Sequence, residues 1–498
     1  MVFLTRLFLL LLTLFSCVIF LSTIEGNVNY RYYPRYHLAP PYGWMNDPNG
    51  FSVFNNEYHL FYQFNPNSSL EPGIAHWGHA KSKDLLHWEH LPIAMCPDEP
   101  FDSSGVFSGS ALIENDTMYL YYTGNVNHPG QTTDHEQHQA LAISTDGINV
   151  EKYAQNPIIK GEEHQPNFRD PKVWKHEDTY YMVLGNSFNN DTRGRALLYS
   201  SKDKINWEQE SVIDQSNGSL GFMWECPDFF EVDGKFVLLF SPQGIKAQGD
   251  NFRNLYQTGY IVGHFDYDTK VFNSISSFVE LDRGHDFYAT QTIEDNTGRR
   301  LLVAWLDMWE QNYPERHDGW TGLMTIPRVL SLSENNVLLQ KPVAEVDSIR
   351  DKQMYSIDNK HHAAAKLNDK AGEVLITAKG TEDLYLVIES SDLSAKVVLH
   401  YNSKKGHVSL NRGGSDGVRR AQWRPQGDLR WRIFIDASSI ELFCGDGEVT
   451  FSSRFFPKNE VTVRIMSTSR VHSFVVNSLK PSVDIESSKR VYKDFRQH

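Results

Sequence analysis

Five short apolar and aromatic runs recur along this chain at a spacing of roughly 60 residues, and no other feature narrows its possible folds as much. They occupy residues 58–62 (YHLFY), 118–122 (MYLYY), 180–184 (YYMVL), 235–239 (KFVLL) and 300–304 (RLLVA). Each has the length of one strand and follows turn-forming residues. The first three are trailed by a polar turn leading into another strand: Ser82-Lys83-Asp84, Ser144-Thr145-Asp146 and Ser201-Lys202-Asp203. Repeated units that cannot bury their apolar faces alone predict a radial array of small antiparallel sheets. The expected fold is all-β, with a five-bladed β-propeller over residues 32–342. Its loops must be long, because the period exceeds the ~40–50 residues of an ordinary blade.

The pattern weakens over 343–365, which reads as a linker. Alternation returns at 395–401, 431–443, 448–456 and 461–466, separated by Gly, Asn and Asp turns, and predicts a C-terminal β-sandwich over 366–486. Residues 487–498 are charged and read as a tail. A chain of 498 residues suits two such domains, and its net charge of −14 excludes a nucleic-acid binder, since no basic field gathers phosphates.

Residues 1–26 read as a secretory signal: Arg6, an apolar stretch over 7–21, then small and polar residues. No later stretch could span a membrane, so the mature protein is expected outside the cell with no membrane contact. The sequons at Asn67, Asn115, Asn190 and Asn217 fit that route as glycosylation sites. Cys17 would leave with the signal. Cys96, Cys226 and Cys444 remain, an odd number that excludes a disulfide scaffold and leaves a thiol free.

Three carboxyl groups stand about 10 residues before the apolar strand of their repeats: Asp47 in WMNDPNG, Asp170 in FRDP and Glu225 in WECPD. In a propeller such equivalent positions converge on the central axis. One reading makes these residues turn caps, as Asp and Asn beside Pro and Gly usually are. The other pairs them for glycoside hydrolysis, in which one carboxylate attacks the anomeric carbon or activates water while a second carboxyl group protonates the leaving oxygen. Glu225, between Trp224 and Cys226, has the apolar flanks suited to the proton donor. Asp47, among Asn46, Asn49 and the Gly50 amide, has the donors suited to a carboxylate. The aromatic content of 13% fits surfaces that stack on flat or sugar-like ligands.

These blocks, with Phe107-Ser108-Gly109-Ser110-Ala111, Asp286-Phe287-Tyr288-Ala289, Gly319-Trp320 and the run 436–443 (DASSIELF), resemble glycoside hydrolase family 32, the invertases and fructan hydrolases. The pattern is similar to bacterial-type sucrose hydrolases, here with a signal as in secreted insect β-fructofuranosidases. The resemblance implies a retaining hydrolase of terminal β-D-fructofuranosides, sucrose first among them. Asp47 would be the nucleophile, Glu225 the acid and then base, and Asp170 the stabiliser of the transition state through two fructose hydroxyls. Arg169 would orient the carboxylates, and Asn46, Gln63, Trp77, Phe107 and Ser108 would line the fructose site. Trp44 and Trp224 would join Trp77 and Phe107 as its aromatic walls, Tyr288 would tune Glu225, and Trp305 and Trp309 would edge the pocket. A fructan hydrolase or fructosyltransferase of the same fold, an inactive sugar-binding relative and an inverting arabinose- or xylose-acting furanosidase are the rival readings.

The implied partner is a small-molecule sugar, with no cofactor. The scattered His residues imply no metal, and His135-Glu136-Gln137-His138, one residue short of H-E-x-x-H, reads as a solvated loop. Cys226 reads as a packing neighbour, since no His stands beside it to activate a nucleophile.

Overall fold

A computed structural model describes residues 28–128, 135–161, 167–415 and 417–486. The expected signal at 1–26 and tail at 487–498 lie outside the described residues.

Five antiparallel sheets form the N-terminal domain. The innermost strands of blades 1 to 5 are Gly43–Phe54, Val106–Glu114, Phe168–His176, Met223–Val232 and Tyr288–Glu294. Each packs against the next, and the fifth packs against the first, closing the ring. Trp320–Thr321, which follows the second strand of blade 5, pairs in parallel with Gly43 and Trp44 and ties the last blade to the first.

Each of the five sequence runs is the second strand of its blade: Glu57–Asn65, Thr117–Asn127, Thr179–Phe188, Lys235–Gln243 and Arg300–Trp305. Their continuous apolar character has a geometric cause. Successive side chains point to opposite faces of a strand, and here each face is covered by a neighbouring blade. Leu120 and Tyr122 enter the core shared with blade 1, whereas Tyr121 enters the core shared with blade 3. Met182 and Leu184 alternate in the same way with Tyr181 and Val183, and Leu301 and Val303 with Leu302 and Ala304. The polar turns repeat as well. Asp84, Asp146 and Asp203 each accept two backbone N–H groups two and three residues on, and a Ser hydroxyl two residues back.

The linker expected at 343–365 is not one. After a 3-10 turn at Ala344–Ile349, Arg350–Leu367 is an 18-residue strand paired along Val461–Leu479. Its polar composition hid it, because much of this strand faces solvent. The partner strand pairs with Leu384–Ser390 through its first half and Gly372–Lys379 through its second, so one hydrogen-bonded path carries both layers of the sandwich. The layers share one core, which includes Leu386, Leu399, Val374, Trp431, Ile433 and Phe451.

The two domains meet through buried charge. Arg328 is fully buried in the propeller and lies 3.1 Å from Asp282 and 2.6 Å from Glu441 of the sandwich. The N-terminal segment joins the same network: His37 bridges Asp436 at 2.7 Å and Glu441 at 2.9 Å. Burial works against a charge on His37, but the two carboxylates hold its pKa up to about 9. Removing one partner of such a network strands the others in low dielectric. Arg328→Met is therefore expected to cost about 3–5 kcal/mol, read as a lowered denaturant midpoint. An unchanged midpoint would show that the domains do not depend on this contact.

Candidate active site

The site is built by one irregularity repeated in every blade. The ladder between the first and second strands loses register between Met45 and Pro48, Phe107 and Gly109, Arg169 and Lys172, Glu225 and Asp228, and Tyr288 and Thr290. A bulge sets extra residues against the partner strand, bends it and re-aims side chains. The re-aimed residues include Asn46 and Asp47, Ser108, Asp170, Cys226 and Ala289, and the last three non-glycines have positive φ of 68°, 46° and 40°. Pro48, Pro171 and Pro227 fall at the bulges, where a missing N–H is tolerated. Beside Ser108, a Cβ on Gly109 would lie 1.9 Å from the Tyr121 carbonyl oxygen, so the bulge there requires glycine. Asp47 and Asp170 are thus bulge residues inside strands, Glu225 is the paired residue at the edge of its bulge, and none is a turn cap.

A cavity of about 320 Å³ opens beside these bulges and is lined by Asn46, Asp47, Gln63, Phe107, Ser108, Arg169, Asp170, Glu225 and Trp309 among the predicted residues. Asp47 accepts hydrogen bonds from Asn46 Nδ2 at 3.0 Å, Ser108 Oγ at 2.8 Å and Cys226 Sγ at 3.5 Å. Gln63 Nε2 donates to Ser108 Oγ at 3.3 Å. Glu225 accepts from Arg169 Nη2 at 2.7 Å, from Gln243 Nε2 at 2.8 Å and from the Tyr288 hydroxyl. Asp170 Oδ2 accepts the Cys226 backbone N–H at 2.8 Å and lies 3.9 Å from Arg169 Nε. Burial, with the charges of Glu225 and Asp47, pushes the Asp170 pKa up to about 7 against the pull of Arg169. Burial and the same carboxylates push the Cys226 thiol well up, so it stays a neutral S–H donor.

The apolar flank expected for Glu225 is absent. Trp224 alternates away into the blade core, with its ring stacked on Phe240 at 4.0 Å, and Cys226 turns to Asp47. Of the four aromatic walls expected, only Phe107 lines the cavity. Trp44 is 2% exposed and its Nε1 orients the Asn46 amide at 3.0 Å. Trp77 is fully buried and holds the Phe107 carbonyl at 3.0 Å. Trp305 and Tyr288 are buried behind the cavity, and Trp309 is the Trp that lines it, stacked on Trp44. Asn49 and Gly50 are directed elsewhere: Asn49 Oδ1 accepts the Gly109 N–H.

Residues missed in the sequence include Gln243, Asn125, Asn127, Gln137 and Asn167. His135–Ser144 is a strand, so the segment read as a solvated loop supplies His135 and Gln137 to the cavity wall. The ends of the second and third strands carry Gln243, Asn125, Asn127, His135 and Gln137, which only a known hairpin register would have placed, and Asn167 stands just before the first strand of blade 3. Among the described residues no group of three or more His, Cys, Asp or Glu could hold a metal ion. Cys226 and Cys444 are buried free thiols.

The raised Asp170 pKa has a stability consequence. The folded chain holds this proton where the unfolded chain has lost it, so Asp170 lowers stability progressively as pH rises from about 4 to about 7. Asp170→Asn is expected to flatten the fall of the thermal midpoint across that window. An unchanged slope would place the Asp170 titration elsewhere.

Residues 37–342 match the glycosyl hydrolases family 32 N-terminal domain, and residues 345–482 the family 32 C-terminal domain. The chain is 41% identical to a sucrose-6-phosphate hydrolase of Escherichia coli over 86% of this chain and 90% of the relative. It is 39% identical to an Escherichia coli raffinose invertase over 88% and 92% of the two chains. A GH32 beta-fructofuranosidase of Bombyx mori, also solved as a mutant in complex with sucrose, superposes with a TM-score of 0.86 at 41% identity, covering 92% of this chain and 96% of that one. Two domains in the family's order, matched over residues 37–342 and 345–482, leave one conclusion: the chain belongs to glycosyl hydrolase family 32 and is an invertase-type glycoside hydrolase.

Proposed function

We propose that this chain is a secreted, retaining hydrolase of terminal β-D-fructofuranosides, with sucrose first among its substrates. The observation that carries this reading is the division of labour between two carboxyl groups bridged by one short network. Asp47 is held by Asn46, Ser108 and Cys226, and Glu225 by Arg169, Gln243 and Tyr288. In the first step an Asp47 oxygen attacks the fructosyl anomeric carbon. The glycosidic bond breaks, and its oxygen leaves as a hydroxyl with the proton from Glu225. Water then attacks the same carbon, Glu225 takes back a proton, and Asp47 leaves as carboxylate. Asp170, buried between the two, accepts the sugar hydroxyls whose bonds shorten as the oxocarbenium-like charge develops.

Secretion is supported by the N-terminal pattern and by the sequons. Asn115, Asn190 and Asn217 are exposed. Asn67 is half-buried and the hydroxyl of its sequon residue Ser69 donates to the Arg316 carbonyl. Expression in a eukaryotic secretory host is therefore expected to yield protein in the medium lacking residues 1–26, with a mass that falls on N-glycosidase treatment through Asn115, Asn190 and Asn217.

Purified protein is expected to release glucose and fructose from sucrose. Asp47→Ala and Glu225→Ala should each lower kcat by at least ~10³-fold while the circular dichroism spectrum is retained. A folded variant of either kind with near wild-type turnover overturns the assignment. Asp170→Asn should lose about 10²–10³-fold in kcat/KM, carried by kcat, since a contact made in the transition state is removed. A change confined to KM contradicts that role.

A further inference from the structure

We infer that Arg316 is a positioning residue for the nucleophile, acting through Trp44 and Asn46 on the Asp47 oxygen that attacks the fructosyl carbon. This role rests on the fructosidase reading above and deepens it by naming a residue outside the cavity lining on which turnover depends. The Arg316 guanidinium lies 4.7 Å over the Trp44 ring. At the edge of the same ring, Trp44 Nε1 donates to Asn46 Oδ1 at 3.0 Å, and Asn46 Nδ2 donates to Asp47 Oδ1 at 3.0 Å. The other carboxylate oxygen, Oδ2, has two donors of its own, Ser108 Oγ at 2.8 Å and Cys226 Sγ at 3.5 Å. Among the described residues Asn46 is the donor that holds Oδ1, which therefore keeps more of its lone-pair capacity for attack. The line from Arg316 ends on that oxygen.

The 3-10 turn Pro314–Asp318 fixes where the guanidinium points. Its Arg316 carbonyl accepts the Ser69 hydroxyl at 2.7 Å. The carboxylates nearest in sequence face other cations: Glu315 lies 2.9 Å from Arg454 of the sandwich, and Asp318 lies 2.8 Å from Arg31. Arg316 Nε is buried and has no hydrogen-bond partner among the described residues. Its partner is the Trp44 ring. A cation over an indole face is attracted by the ring quadrupole and draws electron density toward itself. The Nε1–H edge is left more positive and donates more strongly. Hydrogen bonds in a chain polarise one another, so the hold on Asn46 Oδ1 passes to the bond from Nδ2 to Asp47. Without it the amide is free to turn and set its own oxygen, an acceptor only, against the carboxylate. Trp305 and Trp309 pack on Trp44 at 6.3 and 6.2 Å and keep the ring in place when the charge is removed.

The test compares Arg316→Met and Arg316→Lys with the wild-type full-length protein on sucrose. Met covers the ring without charge, and Lys restores the charge. Arg316→Met is expected to lower kcat about 10-fold, with KM within about twofold and an unchanged circular dichroism spectrum. Arg316→Lys should keep at least about half of the wild-type kcat. In an Asn46→Ala background the line is already cut, so adding Arg316→Met should cost less than about twofold more. Arg316→Gln replaces the Met variant if that one loses its fold. Wild-type kcat in the neutral variant, equal losses in the neutral and Lys variants, or the whole loss repeated in the Asn46→Ala background overturns the inference and leaves the fructosidase reading intact. Wild-type protein that fails to cleave sucrose overturns that reading and this inference with it.

Discussion

The molecule's chemistry hangs on the mismatch between the first and second strands of each blade. A regular ladder would send the side chains of Asp47, Asp170 and Glu225 alternately into the interblade cores, as it does with Leu120 and Tyr121. The bulges bend the innermost strands at one level of the channel and leave polar groups of several blades facing one cavity. The positive φ at Asp170, Cys226 and Ala289 is the local cost, held in place by packing on both faces of every blade.

Once gathered, the three carboxyl groups repel one another, and the network is arranged around that fact. Arg169 sits between Asp170 and Glu225. Cys226 does the corresponding work between Asp170 and Asp47 without charge, donating its backbone N–H to one and its S–H to the other. A thiol kept neutral by burial can sit there without adding to the negative field. The packing-neighbour reading of Cys226 is incomplete, since its backbone N–H and its thiol each hold a carboxyl group of the site.

The sandwich contributes no residue to the cavity among the described residues, yet it is not an appendage. Its Glu441 and Asp436 complete the buried charges of Arg328 and His37. Its Arg454 lies 3.2 Å from Asp307 and 2.9 Å from Glu315, and Asp307 is two residues from the cavity-lining Trp309. An unpaired carboxylate at those propeller positions would be untenable in the interior. The propeller thus has a face whose charges make sense only with the second domain in place.

Strand runs, their period and the acid-bearing motifs were legible in the chain, because a strand buried on both faces must be continuously apolar and a bulge favours particular residues at fixed offsets. The same local signals misled where the partner was distant. Trp77 and Trp224 beside polar motifs looked like pocket walls, but strand alternation turns them into cores. Residues 350–365 looked like a linker because a strand facing water carries no apolar signature. Gln243 and Gln137 gave no signal at all, since one acts across a hairpin and the other between blades. The sequence by itself determined the blade count, the all-β class and the acids. Tertiary structure alone decided which side chains meet, because convergence on the channel axis follows from ring closure and bulge geometry, and neither is a property of any local stretch of chain.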